Sequence, residues 1–324
     1  MSYRSTVARQ PESLKDCLIV RTEIEAMDLE PLKSGLVAVT GIGASYAAAV
    51  VVAGELQRRG RRAFPTRPVD MMNGGDLADV ILALSHRGRS VETVQALQHH
   101  PNAAKLAITK DAESPLAEAA GRHLQIENGS DATPSSTGYT GTLLVAGLLL
   151  EKLCGPTRTD WDAIPGLAAD ALSRSAEKMS RIGKLFEGRR AIDCVGAGSA
   201  LGTAEGATLL IREAARIPTG PADTRHYLHG PMESMDRTTG VVLFGDGREV
   251  QIAQQLQEIG CPVVLVTANP EIEDGNILTV LNVPQQENRI ARGILDIFAA
   301  QLLAAELSDA AGLTDTKFRY PQTD

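Results

Sequence analysis

The stretch LVAVTGIGASYAAAVVVAGELQRR, residues 36–59, decides the fold. LVAVT is a short apolar, β-branched run that stops abruptly at Gly41, and an Ala/Val-rich segment of helical length follows. Strand, glycine-rich turn, helix is the plain reading. Gly41 and Gly43 allow a tight turn, and the first turn of the following helix presents free N–H groups to an anion. A βα turn with no ligand accounts for a lone glycine pair equally well.

The unit recurs along the first half. VILALS (80–85) runs into HRGRSVETVQALQHH, whose turn gathers Ser85, His86, Arg87, Gly88 and Ser90. Hydroxyls and backbone N–H groups at a helix start, with an arginine beside them, suit a phosphate dianion. Ser90 also fits as an N-cap with Glu92 in the first turn, and both roles can hold together. LAITK (106–110) reads as a third strand and HLQIENGSD as a fourth. The latter enters ATPSSTGYTGTLLVAGLLLEKL, a hydroxyl-rich loop (Thr133, Ser135, Ser136, Thr137, Thr140) before a long apolar helix. Such hydroxyl clusters more often solvate a loop than contact a sugar. Ahead of these units, RQPESLKDCLIVRTEIEAM reads as one helical run that Pro11 can start.

After Gly155-Pro156 the composition turns polar, and residues 160–188 read as a linking helix. The pattern then restarts. AIDCVGAGSALGTAEGATLLIRE (191–213) repeats strand, G-x-G, helix, with Gly196 lying 155 positions after Gly41. GVVLFGDGREVQIAQQL (240–256) mirrors the second unit and PVVLVTA (262–268) the third, so one βα architecture is used twice. In the second copy the phosphate-type loop is Gly245-Asp246-Gly247, with an acid where an anion would sit. The first copy is therefore expected to bind and the second to scaffold.

Composition agrees. A chain of 324 residues exceeds one ordinary core and points to two domains of about 150 residues. With 43% hydrophobic and 22% charged residues it is a folded chain, and its low aromatic and high Ala/Leu/Val content favours helices on a buried parallel sheet. The net charge of −8 argues against a nucleic-acid groove, and the basic run Arg58–Arg62 reads as a solvated helix end. Cys17, Cys154, Cys194 and Cys261 are scattered, with no metal-ligand spacing, and read as small buried hydrophobes in a reducing compartment. No signal peptide opens the chain, and its longest apolar stretch, Leu143–Leu150, is far short of the roughly 18 residues of a spanning helix. A cytoplasmic protein is expected, with no membrane partner.

Dinucleotide binding fails on its own fingerprint, because the third glycine is replaced by Tyr46 in the first turn and Leu201 in the second. No P-loop sequence occurs either.

The segment IREAARIPTGPADTRHYLHGPME (211–233) has the composition of a site: a helix breaks at Pro218, Gly220 and Pro221, then Asp223, Arg225, His226 and His229 fall within seven positions. Together with GIGAS (41–45), SHRGRSVET (85–93), SST (135–137), GAGSA (196–200) and HGP (229–231), it resembles the double-SIS family of sugar-phosphate enzymes, which includes the isomerase domain of glucosamine-6-phosphate synthase. SHRGRSVET is also similar to the pattern of fructosamine-6-phosphate deglycases. The resemblance spans nearly the whole chain. It implies an α/β fold of two tandem SIS domains, each a flavodoxin-like parallel-sheet αβα sandwich, related by internal duplication. The expected boundaries are 20–158 for the first domain, 159–188 for the linking helix, 189–310 for the second domain and 311–324 for a C-terminal tail.

The resemblance also implies roles. The phosphate cradle falls on Gly43, Ser45, Ser85, His86, Arg87 and Ser90, with Ser136 and Thr137 near the sugar. Glu213 matches the glutamate that shuttles a proton between C1 and C2, and His229 the histidine used for ring opening or as general acid. That histidine is commonly supplied across a dimer interface, so a homodimer is implied. Three departures stand out: Thr224-Arg225-His226-Tyr227 replaces the usual Gly-Glu before HGP, Ser85-His86-Arg87 replaces the synthase's Ser-Gln-Ser, and the C-terminal lysine has only Lys317 as a candidate. With no glutaminase segment before the first unit, glutamine-dependent synthesis is not expected. The implied function is a phosphosugar isomerase or deaminase acting on an amino-sugar 6-phosphate through an enediol or enolamine. A fructosamine-6-phosphate deglycase and a non-catalytic phosphosugar sensor remain as alternatives. No cofactor or metal is expected.

Overall fold

The computed structural model describes residues 2–313 and 318–320. Three short helices open the chain, α1 (Tyr3–Ala8), which the sequence reading did not include, and α2 (Gln10–Cys17) and α3 (Val20–Ala26), which divide the run that reads as one. The first sheet is built from β1 (Val37–Thr40), α4 (Ala44–Arg58), β2 (Ala63–Thr66), α5 (Pro68–Asn73), β3 (Val80–Leu84), α6 (Val91–His99), β4 (Ala104–Thr109), α7 (Pro115–Ala120) and β5 (His123–Gln125). Helices α8 (Thr137–Cys154) and α9 (Ile164–Phe186) lead to the second. That one comprises β6 (Ala191–Gly196), α10 (Ser199–Ala215), β7 (Thr219–Ala222), α11 (Thr224–Tyr227), β8 (Thr239–Phe244), α12 (Arg248–Glu258), β9 (Val263–Thr267), β10 (Leu278–Asn282) and α13 (Arg289–Ala310).

Both sheets are parallel. The first has the order β2-β1-β3-β4-β5 and the second, in the same sense, β7-β6-β8-β9-β10. This is the flavodoxin-type order, with its switch point between the first and third strands. The inner strands β1, β3 and β8 are buried at every position, which is why they read as continuous apolar runs rather than alternations. Three strands lack a sequence signal, β2 (AFPT), β7 (TGPA) and β10 (LTVLN), and all three are sheet edges. Two carry a proline, which an edge tolerates because one side of the ladder needs no donor.

The two halves join along α4, α10 and α13. Gly202 of α10 lies so close to α4 that a Cβ there would meet Val51 N and Ala47 O, and Gly54 of α4 faces Ser199. Buried side chains of both halves, including Val51, Val52, Leu210, Ile211, Ile294 and Phe298, form one continuous core. Glu55, fully buried, ties the seam electrostatically. Its carboxylate accepts from Arg58 (2.7 and 2.8 Å), Arg59 Nε (2.9 Å) and the backbone N–H of Arg289 (3.2 Å). A buried charge is tolerated only with such partners. Cys17, Cys194 and Cys261 are buried thiols and Cys154 is half-buried. Among the described residues no helix is long and apolar enough to cross a membrane.

Candidate active site

The loops after β1 and β3 meet at the switch point of the first sheet. A Cβ on Gly41 would strike Ser45 and the carbonyl of Leu84, so Ser45 and the end of β3 flank one spot and only glycine fits between them. Gly43 has φ +60°, which opens the start of α4. In the second loop Gly88, at φ +66°, closes a turn by donating to Ser85 O (3.0 Å), and a Cβ there would collide with Ser114 Oγ. The hydroxyls of Ser45 and Ser85 and the exposed guanidinium of Arg87 have no protein partner among the described residues. The backbone N–H groups of His86, Arg87, Arg89 and Ser90 have none either. Two adjoining loops thus gather donors that have no acceptor among the described residues, the arrangement an anion requires. Ser90 serves as the expected N-cap, its Oγ lying 2.9 Å from Thr93 Oγ1.

His86 is fixed differently from its loop neighbours. Its Nε2 lies 3.1 Å from Asn128 Oδ1, while Asn128 Nδ2 donates to Thr137 Oγ1 (2.9 Å), whose own proton goes to Ser130 O. That chain orients the amide, so His86 donates through Nε2–H and keeps Nδ1 as an acceptor. Burial pushes the imidazole below its ordinary pKa, opposed by the bond to Asn128, so the ring is neutral at pH 7. A neutral ring contributes no cation to a phosphate site.

Ser136 and Thr137 are wholly buried. The Ser136 hydroxyl lies 2.8 Å from Thr6 Oγ1 and 3.1 Å from Asp131 Oδ1, and Thr137 is engaged by Asn128. In this arrangement neither hydroxyl is open to a ligand. The organiser of the loop is Asp131, whose carboxylate accepts from the N–H groups of Ala132, Ser136, Thr137 and Gly138 and from the Ser135 hydroxyl (2.7 Å). The free N-terminus of α8 is thereby filled by a side chain. Asp131 and Asn128 escaped the sequence reading; the one signal was their place in NGSD, directly before the hydroxyl loop.

Glu213 sits in the last turns of α10, mostly buried, and its carboxylate makes no hydrogen bond or ion pair among the described residues. Burial alone raises it to about 7. Tyr3 of α1 links it to the first half, because that buried phenol feels both Asp131 and Glu213 and is pushed above its usual range, chiefly by burial. His229 lies in the turn after α11, exposed, its N–H donating to His226 O (2.9 Å). No described contact joins it to Glu213 of the same chain. Asp223 is an N-cap for α11, accepting from Arg225 N and His226 N. Lys317 lies outside the described residues.

A cleft of about 480 Å³ runs between the halves from Gly43 to α10, lined by Tyr46, Arg67, Glu92, Glu205 and Arg212. Arg67 stacks over the Tyr46 ring at 4.5 Å, and burial raises the Glu205 carboxyl, with Arg67 partly offsetting it. Among the described residues no group of three His, Cys, Asp or Glu side chains could hold a metal ion.

Residues 32–152 match the family model of the SIS domain. Over 285 residues the chain is 23% identical to the isomerizing glutamine–fructose-6-phosphate aminotransferase of Sulfolobus acidocaldarius, a stretch that covers 84% of this chain and 48% of the relative. The chain thus spans about half the length of that curated relative. The structure is similar to the glucosamine-6-phosphate deaminase of Thermotoga maritima, with a TM-score of 0.81 at 18% identity, over 99% of this chain and 98% of the other. It is also similar to the tagatose-6-phosphate ketose/aldose isomerase of Escherichia coli, with a TM-score of 0.80 at 17% identity, over 99% and 97%. The described chain has the fold of these structures, and within it the likeness to the SIS domain model is confined to residues 32–152, the first sheet and its helices.

Proposed function

We propose that the protein is a phosphosugar isomerase or deaminase acting on an amino-sugar 6-phosphate. The observation that carries the reading is Glu213, a mostly buried carboxylate without a partner among the described residues and raised by burial to about 7. Such a group can take a proton from one carbon and return it to the next, because neither of its protonation states is much preferred at neutral pH. The donors around Ser45, Ser85, Arg87 and Arg89 that have no partner among the described residues anchor the phosphate and so fix which carbons face the base. Arg87 supplies the charge, and His86, neutral with a free acceptor nitrogen, receives a hydroxyl or ammonium proton from the sugar. Ser90 contributes its N–H while its hydroxyl caps α6, and Gly43 opens the approach. Asp131 holds the Ser135–Thr137 loop at the sugar side.

His229 is the general acid in this reading, for ring opening or for the departing amine. Its exposure and the lack of a same-chain contact with Glu213 support supply from a second copy, and hence a homodimer. The shared strand order and the matching backbones of Gly43 (φ +60°, ψ −126°) and Gly198 (φ +58°, ψ −125°) support the second half as a duplicated SIS domain.

The test is Glu213→Gln assayed on glucosamine 6-phosphate, fructose 6-phosphate with ammonia, and fructosamine 6-phosphate. Turnover on the true substrate should fall about a thousandfold, with ligand affinity nearly kept. Near-normal turnover by the variant would remove Glu213 from the chemistry. Binding of these compounds without turnover by the unaltered protein would instead make it a phosphosugar sensor. Release of ammonia from glucosamine 6-phosphate and release of a larger amine from fructosamine 6-phosphate distinguish deaminase from deglycase.

A further inference from the structure

The second sheet has a switch point of its own between β6 and β8, and ligands of open parallel sheets bind outside the strand C-termini at such a point. A cavity of about 370 Å³ lies there, roofed by α13 and the C-terminal half of α4. Gly198 repeats the backbone of Gly43, and nothing lies within 4 Å of where its Cβ would be, so the first turn of the 17-residue α10 is open to the cavity.

The acid that made this loop read as a scaffold is on the cavity wall, but its carboxylate is taken up by the chain's own donors. Asp246 is held by Arg292 (3.0 and 3.2 Å), the Thr267 hydroxyl (2.9 Å) and Ala268 N–H (2.6 Å). Asp296 pairs with Arg292 (2.7 Å), and Glu249 accepts from Thr224 and Gly247. Every acid on the wall is engaged. Arg289, on the same wall, is not: its guanidinium makes no hydrogen bond or ion pair among the described residues. Thr203, 1% exposed, is on the same wall, and its hydroxyl, next to Gly293, has no hydrogen-bond partner among the described residues. A buried polar atom without a partner destabilises the fold unless something outside the chain bonds it.

We propose that this crevice is a second ligand site, taking a small phosphorylated polyol. Its phosphate sits on the α10 N-terminus against Arg289, and a hydroxyl bonds Thr203. The site is independent of the chemistry assigned to Glu213 and shares no side chain with the first cradle.

Equilibrium dialysis and calorimetry with fructose 6-phosphate as the probe count the equivalents bound per chain. The unaltered protein should take two, and Arg289→Gln should weaken one by about tenfold or more while leaving the other and the turnover unchanged. Thr203→Val guards against a folding artefact. It should raise the unfolding temperature of the free protein, because the unbonded hydroxyl is gone, yet weaken the same equivalent. Two equivalents kept by both variants, or a single equivalent that Arg289→Gln does not disturb, overturns the proposal. A single equivalent lost in Arg289→Gln would uphold this site and sink the reading of the first cradle instead.

Discussion

Glu213→Gln should make the protein more stable as the pH rises, and the size of the gain follows from the site. In the folded chain burial holds this carboxyl at about 7, against an ordinary value of 4.5. Between those values the folded state keeps a proton that the unfolded chain has lost, so folding binds protons and stability falls as pH rises through the window. At about 1.4 kcal/mol per pH unit the full interval amounts to about 3 kcal/mol, present as stability below pH 4.5 and lost by pH 8. Glutamine has nearly the same shape and no charge to bury. Urea unfolding of both proteins from pH 4 to pH 8 reads the difference, and subtracting the curves cancels every other titration, including that of Asp296, which burial raises to about 6. The gap should open by about 3 kcal/mol across the range in favour of the variant. Parallel curves would mean that the carboxylate is solvated when ionised, and would take the argument for a poised base with them. Activity should show the converse, with kcat/KM of the unaltered enzyme rising with pH through an apparent pKa near 7.

Asp131→Ala strips the α8 N-terminus of its acceptor and should cost about 2–4 kcal/mol, read as a shift in the urea midpoint, with Asp131→Asn losing less because one oxygen remains. Gly202→Ala forces α10 off α4 and should lower stability by about 1–3 kcal/mol despite alanine's better helix propensity, measured by thermal unfolding. Gly88→Ala puts a Cβ into Ser114 at positive φ and should raise KM for a phosphorylated substrate at least about tenfold, with a smaller loss in kcat.

The strands and helices that carry the inner sheets were legible because burial on both faces demands unbroken apolar runs: VILAL and VVLVT could hardly be anything else. The glycine turns were legible too, and Gly41 and Gly88 are required by contacts the sequence could only imply. Three of the four edge strands, β2, β7 and β10, were not, since a four-residue segment such as TGPA draws its conformation from the neighbouring β6 rather than from its own residues. At the site, residue types were easier to read than their roles. Ser136 and Thr137 look like sugar contacts until Asp131, five and six residues upstream, is seen to claim the loop. Asp246 looks like a barrier to anions until Arg292, 46 residues further on, is seen to hold it. The first is a local capping pattern in a loop without regular structure, and the second is a long-range pairing that no local pattern encodes.

The seam between the halves also governs what breaking the chain would do. Tyr3 reaches Gln301 O, Gln10 bonds the Gln301 side chain, and Arg4 reaches Glu306 and Asp309, so the opening helices are clasped to α13. Glu55 grips the start of that same helix from α4. A protease nick between Cys154 and Ile164 would therefore release nothing: each piece would keep its sheet but lack the helices that cover it. Two fragments made separately should be insoluble apart and recover a native assembly when refolded together, a dimer of unlike pieces made from one chain.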